Sequence, residues 1–316
     1  FFFFFFFFSP PSSLTQRERK KKKKGPAKFD FNLEKINDEE LMNHSKEYGP
    51  QKRRYEFRDI DCFGLHECSL YGLKGTMAYF AHAEHIRQEN KSIYSEEERT
   101  EVFKKLYAVF EGLNNNKQEL GDYLKLAMDV GAVNIKVLEL LDRCHNHMFG
   151  VPEPSLVSAA PVPGKCILMS GHDIIDVWRM LEATKDKGIN VYTHGELLPS
   201  HAYPRLKKYK HFIGHFGSAW QNQVFVFVCN NNNYYCYYYL FCYKNWNGLE
   251  FKEFPGSIVM TTNCLMPPRR RYKDRLFTIN AVGYEGIPHV DISNSKDMAV
   301  VIDKALSLEG FNEVKR

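Results

Sequence analysis

The sequence predicts an α/β fold in which a helical bundle is followed by a Rossmann-like domain with a parallel sheet. Residues 55–150 place apolar side chains at helical spacing, whereas the second half carries short apolar runs separated by an amphipathic stretch. A proline-rich segment lies between the two patterns. We therefore expect a disordered basic tail over 1–54, a helical bundle over 55–155 and an α/β domain over 156–316.

The tail is set apart by its composition. Phe1–Phe8 is a homopolymer, and Arg17–Lys28 holds eight basic side chains and one acid. Such a basic run can bind nucleic acid or direct nuclear import, but more often it is a solvated tail. The rest of the chain shows no basic face. Nucleic acid is therefore not an expected partner.

The composition also argues against membrane and secreted proteins. The phenylalanine run is too short to span a bilayer, and the basic residues follow it, whereas a secretory signal places them first. The eight cysteines include no Cys-x-x-Cys pair. This spacing favours a reducing compartment, with cysteine serving as a metal ligand and not as a disulfide partner. We expect a cytoplasmic protein that does not contact a membrane.

The helical half begins its clearest helix at a capping box. Ser95 and Glu98 form the Ser-x-x-Glu pattern, in which each side chain satisfies a free backbone donor of the other residue. Apolar residues then recur on one helix face as far as Leu113. The predicted helices cover 70–84, 95–113, 120–128 and 133–141. Short connections between them predict a small antiparallel bundle.

The second half predicts a βαβ unit. Lys165–Ser170 is an apolar run, as expected of a strand that is covered on both faces. An amphipathic helix over Ile174–Ala183 and a second strand over Ile189–Thr193 follow it, and Ser257–Thr262 predicts a third strand. A strand, helix and strand in this order indicate a parallel sheet.

Three side chains that can bind metal follow these strands. His172 comes after the first strand, Glu196 after the second and Cys264 after the third. Ligands of open parallel sheets bind outside the carboxyl ends of the strands, so the three side chains should converge there. Nitrogen, oxygen and sulfur together suit the iron of a partly oxidised cluster. Taken singly, each also fits an ordinary role: a loop histidine, a solvated glutamate and a buried cysteine.

The amino-acid sequences of these loops resemble those of the hybrid-cluster protein (prismane, hydroxylamine reductase) family. The motifs occur in the family's order: Ser170-Gly-His-Asp173, Asn190–Pro199, Gly217–Gln223 and Met260–Cys264. Lys273-Asp-Arg275 and Leu70–Gly75 also fit. The likeness covers about 55–223 and 249–316.

The resemblance implies a site and an activity. It makes His172, Glu196 and Cys264 ligands of a hybrid iron–sulfur–oxygen cluster at the junction of a helical domain and α/β domains. It implies reduction of hydroxylamine to ammonia and water, and of nitric oxide in defence against nitrosative stress. An electron-donor redox protein is then the expected partner. His194 is a candidate proton donor or supporting residue for Glu196, although a structural role fits equally well.

The chain also departs from the family. It contains no match to the four-cysteine motif of the family's second iron–sulfur cluster, and none to the carboxy-terminal domain that supplies further ligands. An inactive fragment or a cluster-free scaffold therefore stays an alternative. A carbon monoxide dehydrogenase-like enzyme is another, although Gly195-Glu196 favours the hybrid-cluster branch.

A low-complexity insertion is predicted at 224–248, where tyrosine and asparagine follow neither helical nor strand spacing. We interpret it as a retained intron, with a genuine loop as the alternative. In either case we expect it to bulge from the surface without contacting the loops that carry His172, Glu196 and Cys264.

Overall fold

The structure is a computed structural model. It describes residues 49–115, 118–223, 250–262, 264–280, 282–291 and 295–312, together with Glu40, Asn43 and Lys46. The predicted insertion at 224–248 and most of the predicted tail at 1–54 therefore lie outside the described residues. The described part has helices ahead of a five-stranded parallel sheet, which confirms the predicted fold class.

The first half of the described chain is helical. Its helices are α1 (Pro50–Arg53), α2 (Ile60–Glu89), α3 (Glu96–Leu113) and α4 (Leu120–Phe149). The predicted capping box is confirmed at the start of α3. The Glu98 backbone N–H donates to the Ser95 hydroxyl at 3.2 Å, and the Ser95 N–H donates to the Glu98 carboxylate at 3.0 Å. Two donors that a first helical turn leaves free are thereby satisfied.

One continuous helix, α4, occupies the region where the sequence predicts two. The predicted break between 128 and 133 is wrong, since the helix runs through Gly131. Buried apolar side chains keep a helical spacing across this break: Leu126, Val130, Val133 and Val137. A glycine inside a helix costs about 1 kcal/mol. Burying each apolar side chain contributes roughly 1.5–3 kcal/mol, which outweighs that cost.

The three long helices form a bundle in which α2 and α4 run in the same direction and α3 runs against them. Going along α2, the residue numbers of its partners increase in α4, where Thr76 contacts Asn134 and Ala83 contacts Cys144. In α3 they decrease, since His66 contacts Leu113 and Glu84 contacts Arg99. Neighbours joined by short connections are antiparallel, as expected.

The second half forms a parallel sheet of β1 (Lys165–Ser170), β2 (Ile189–His194), β3 (Phe212–His215), β4 (Ser257–Met260) and β5 (Leu276–Thr278). The spatial order is β3-β2-β1-β4-β5, with every neighbouring pair parallel. The chain first adds strands on one side of β1 and later on the other. This is the doubly wound arrangement, in which ligands bind where the strand order reverses. Here that point lies between β1 and β4.

Helices α5 (Ile174–Thr184), α6 (Glu250–Glu253) and α7 (Ser295–Ser307) complete this half. α5 joins β1 to β2 as the predicted crossover, and α7 contacts β1 and β4. A buried aromatic and aliphatic cluster covers part of the sheet: Leu168, Tyr192, Phe216, Phe251, Phe254, Ile258, Met260, Tyr272 and Leu276. The loop that carries Cys264 packs against this cluster.

The chain divides into two compact units between Cys144 and His145, within α4. The predicted domain limits at 55–155 and 156–316 stay predictions. Among the described residues, no helix has both the length and the hydropathy required to cross a bilayer.

Arg275 stabilises the junction between α6 and the start of β4. Its buried guanidinium donates to the carbonyls of Gly256, Phe251 and Lys252 at 2.9–3.0 Å. We expect Arg275→Met to lower the free energy of unfolding by about 3 kcal/mol, since it removes the donor to three carbonyls. Urea unfolding followed by circular dichroism measures this change.

Arg271→Met is the matched control, because Arg271 is exposed. It should change the free energy of unfolding by less than about 0.5 kcal/mol. Equal effects of the two substitutions would contradict the stabilising role of Arg275.

Candidate functional site

Two neighbouring strands end in the same pattern. Ser170 is the last residue of β1 and pairs in register with His194, the last residue of β2. Each is followed by a glycine with positive φ and then by a predicted ligand, His172 or Glu196. Because the strand ends are level, the two ligand candidates leave the sheet side by side.

Gly171 brings the β1 loop very close to the loop after β4. Its φ is +130°, and a Cβ on it would lie 2.2 Å from Thr261 Oγ1 and 2.9 Å from the backbone nitrogen of Thr262. Both the backbone conformation and the space therefore require glycine. This approach brings the loop that leads to Cys264 beside His172.

His172 has a partner on each ring nitrogen. Nδ1 lies 2.6 Å from Thr262 Oγ1, and Nε2 is in direct contact with Glu196 Oε2. The backbone N–H of His172 donates to Thr261 Oγ1 at 3.2 Å. The imidazole is therefore oriented by residues that follow β4 and β2. Glu196 is 61% exposed, whereas His172 is only 20% exposed.

Cys264 is half-buried, and its sulfur lies 3.8 Å from both ring nitrogens of His172. Burial, together with the negative charge of Glu196, raises the pKa of the Cys264 thiol to about 11. The thiol is therefore protonated at neutral pH, and a metal would have to displace its proton. The structure thus brings all three predicted ligands to the carboxyl edge of the sheet.

The donor types fit part of an iron–sulfur site. A thiol, an imidazole and a carboxylate supply soft and hard donors in one place. Within the described part of the chain, however, no group of three or more His, Cys, Asp and Glu side chains is placed to hold a metal ion by itself. His172, Glu196 and Cys264 are therefore neighbouring donors and not a complete site.

His194 lies beneath these donors and does not point at them. It is fully buried, with Nδ1 2.8 Å from Ser170 Oγ and Nε2 2.8 Å from Glu250 Oε2. A carboxylate only accepts, so in the neutral ring Nε2 carries the proton and Nδ1 accepts from Ser170. Ser218 donates to the other oxygen of Glu250 at 2.6 Å. The hydrogen bonds therefore join the ends of β1 and β2 to α6.

Two further imidazoles contact Thr193, the residue before His194 on β2. Thr193 Oγ1 is 2.8 Å from His201 Nε2 and 2.9 Å from His215 Nδ1. Burial lowers the pKa of His201 to about 4, and burial with the nearby His194 and His201 lowers the pKa of His215 to about 4. Both rings are therefore neutral at physiological pH. The Thr193 hydroxyl can donate to one of them and accept from the other.

Several residues that build the site were not singled out from the sequence. Ser170, Thr261 and Thr262 stand inside the recognised motifs a few residues before a ligand candidate, which was a usable signal. Glu250 gave none, because the contact joins residues 56 positions apart across the predicted insertion.

Comparison with known proteins places the chain in a family. A family model described as the Prismane/CO dehydrogenase family matches residues 11–233 and 243–316, leaving out 234–242. A hydroxylamine reductase from Trichormus variabilis is 42% identical over 257 residues, which are 81% of this chain and 41% of that protein. A hydroxylamine reductase from Mannheimia succiniciproducens is 39% identical over 280 residues, 88% of this chain and 44% of that protein.

The chain therefore spans less than half the length of these relatives. Among solved structures, the as-isolated Ni-free carbon monoxide dehydrogenase from Thermococcus sp. AM4 is similar over 84% of this chain and 45% of its own. It is 10% identical with a TM-score of 0.44, and at that score the likeness supports no argument. The match of the family model over nearly the whole sequence shows that the chain belongs to the Prismane/CO dehydrogenase family.

Proposed function

We propose that the protein acts as an iron–sulfur oxidoreductase of the hybrid-cluster type, with His172, Glu196 and Cys264 among the ligands of its cluster. The observation that carries this proposal is the convergence of the three donors at the carboxyl edge of the sheet. Membership in the family implies an iron–sulfur cofactor. Three donors are too few for a cluster, so a loaded site needs further ligands.

The reaction that we propose is NH2OH + 2 e⁻ + 2 H⁺ → NH3 + H2O, with nitric oxide as a second substrate in nitrosative-stress defence. Hydroxylamine is favoured because two relatives with about 40% identity carry the name hydroxylamine reductase. A carbon monoxide dehydrogenase-like activity has no comparable support. When bound, the cluster would supply electrons and an iron that can polarise the substrate. A redox protein would deliver the electrons.

His172 needs a tautomer change in order to bind metal through Nε2, the ring nitrogen that contacts Glu196. Facing the Glu196 carboxylate, Nε2 carries the proton, whereas a ligand nitrogen needs its lone pair. The Thr262 hydroxyl can donate or accept, so it can hold Nδ1 in either tautomer. Thr262 would thus keep the ring orientation fixed while Nε2 loses its proton, which is the usual role of a partner to a ligand histidine.

For His194 we propose a positioning role, with proton donation to the site as the alternative. The support is its burial and its two hydrogen bonds, which fix the ends of β1 and β2 two residues before His172 and Glu196. Through these bonds Glu250 contributes to the same function, because it holds the ring of His194.

The first prediction concerns the three proposed ligands. The full-length protein, produced anaerobically with iron, should contain iron and acid-labile sulfide and reduce hydroxylamine. His172→Ala, Glu196→Ala and Cys264→Ala should each change the electron paramagnetic resonance spectrum of the cluster without unfolding the protein, because each removes a donor at the edge of the sheet. Iron analysis and circular dichroism accompany the spectra.

Cys68→Ala serves as the control, since Cys68 is an exposed cysteine of the helical half. It should leave the spectrum unchanged. The ligand assignment fails if all three variants keep the wild-type spectrum.

The second prediction concerns Glu250. Glu250→Ala removes the acceptor of the His194 N–H, whereas Glu250→Gln keeps an oxygen that can accept it. We expect hydroxylamine reduction to fall about tenfold in the alanine variant, as for a lost hydrogen bond to a charged group. The glutamine variant should retain most of the activity.

Glu253→Ala is the matched control, because Glu253 is an exposed carboxylate of the same helix, α6. Its activity should equal that of the unsubstituted protein. A glutamine variant as impaired as the alanine variant would show that the hydrogen bond to His194 is not what Glu250 contributes.

A further inference from the structure

Gln223 is a fully buried polar side chain whose contacts all point to one loop. It ends the short 3-10 turn Trp220–Gln223. Its amide NH2 donates to the carbonyl oxygen of Cys264, and its amide oxygen accepts the backbone N–H of Met266 at 3.2 Å. The side chain thus spans the backbone on both sides of Leu265.

These two bonds have no substitute in the described structure. Among the described residues, Gln223 makes every hydrogen bond recorded to the backbone of residues 264–266. Residues 264–266 otherwise pack against the apolar core cluster, and this packing is not directional. The nearest directional contact of the same loop is that of Thr262 with His172. Hydrogen bonds are directional, so the carboxamide of Gln223 defines where residues 264–266 lie on the surface of the core cluster.

Glutamine is the residue type that can make both of these hydrogen bonds. A carbonyl and an N–H two residues apart need one donor and one acceptor from the same group, and a carboxamide supplies both. Glutamate would place a second acceptor against the Cys264 carbonyl, and an aliphatic side chain would supply neither. Removing either bond leaves a buried or half-buried backbone group without its partner, which is costly.

We propose that Gln223 is the positioning residue for Cys264, setting where its sulfur stands relative to His172. The inference rests on the proposed function only for the role of Cys264 as a ligand. The position of the loop itself can be tested without any metal.

The test is the rate at which iodoacetamide alkylates Cys264 in the metal-free chain at one fixed pH, followed by mass spectrometry of the peptides. Gln223→Met keeps the length of the side chain and removes both hydrogen bonds. We expect it to raise the alkylation rate of Cys264 about tenfold, because the half-buried thiol gains access to reagent when the loop is released.

Gln221→Met is the matched control. Gln221 belongs to the same 3-10 turn but is exposed, so its substitution should leave the rate at Cys264 unchanged. Cys166 supplies an internal reference, since it is fully buried in β1 of the same unit. In the Gln223→Met variant, the alkylation rate of Cys166 should equal that in the unsubstituted protein. This result separates release of one loop from loss of the fold.

Two results would overturn the inference. One is an unchanged rate at Cys264 in a folded Gln223→Met protein. The other is an equal rise at Cys264 and Cys166, which would make Gln223 a general stabiliser of the unit.

Failure of the proposed function looks different. In that case the unsubstituted full-length protein retains no iron and does not reduce hydroxylamine, while the alkylation rates still decide the role of Gln223. If the protein does hold a cluster, Gln223→Met should also shift its electron paramagnetic resonance spectrum, and Gln221→Met should not.

Discussion

Everything at the site depends on parallel strands that end level with one another. Ser170 of β1 pairs in register with His194 of β2 on one side and with Met260 of β4 on the other. The loops that follow these three strands therefore leave the sheet at the same level. A side chain two to four residues beyond one of these strand ends therefore lies near the side chains that follow the other two. Backbone hydrogen bonding, and not affinity between the side chains, brings an imidazole, a carboxylate and a thiol together before any metal is present.

Buried polar groups turn this rough proximity into a defined geometry. The ends of β1 and β2 carry hydroxyl and imidazole groups that must find partners, because an unpaired polar group in the interior costs roughly 1–3 kcal/mol. Ser170, Thr193 and His194 find partners on neighbouring strands and on α6. The need to satisfy these groups thus fixes the positions of the two strand ends relative to each other. The low pKa values of His201 and His215 keep these two rings uncharged at neutral pH.

The sequence was informative where one local pattern decided the outcome. β1, β2 and β4 are apolar runs, the capping box is a four-residue signal, and the ligand candidates follow directly from strand ends. β3 and β5 were not predicted, since their four and three residues are too few to show a period. The break assigned near Gly131 failed because packing overrode local propensity. Glu250 could not be found, because only the folded chain brings it to His194.

Gln223 and Glu250 are the last described residue before 224–249 and the first one after it, and the short elements that carry them touch each other. The hydrogen bonds to His194 and to the Cys264 carbonyl therefore come from two short elements that are neighbours in the fold but distant in the sequence. A change that separates these two short elements would therefore affect the hydrogen bonds of His194 and of the Cys264 carbonyl together.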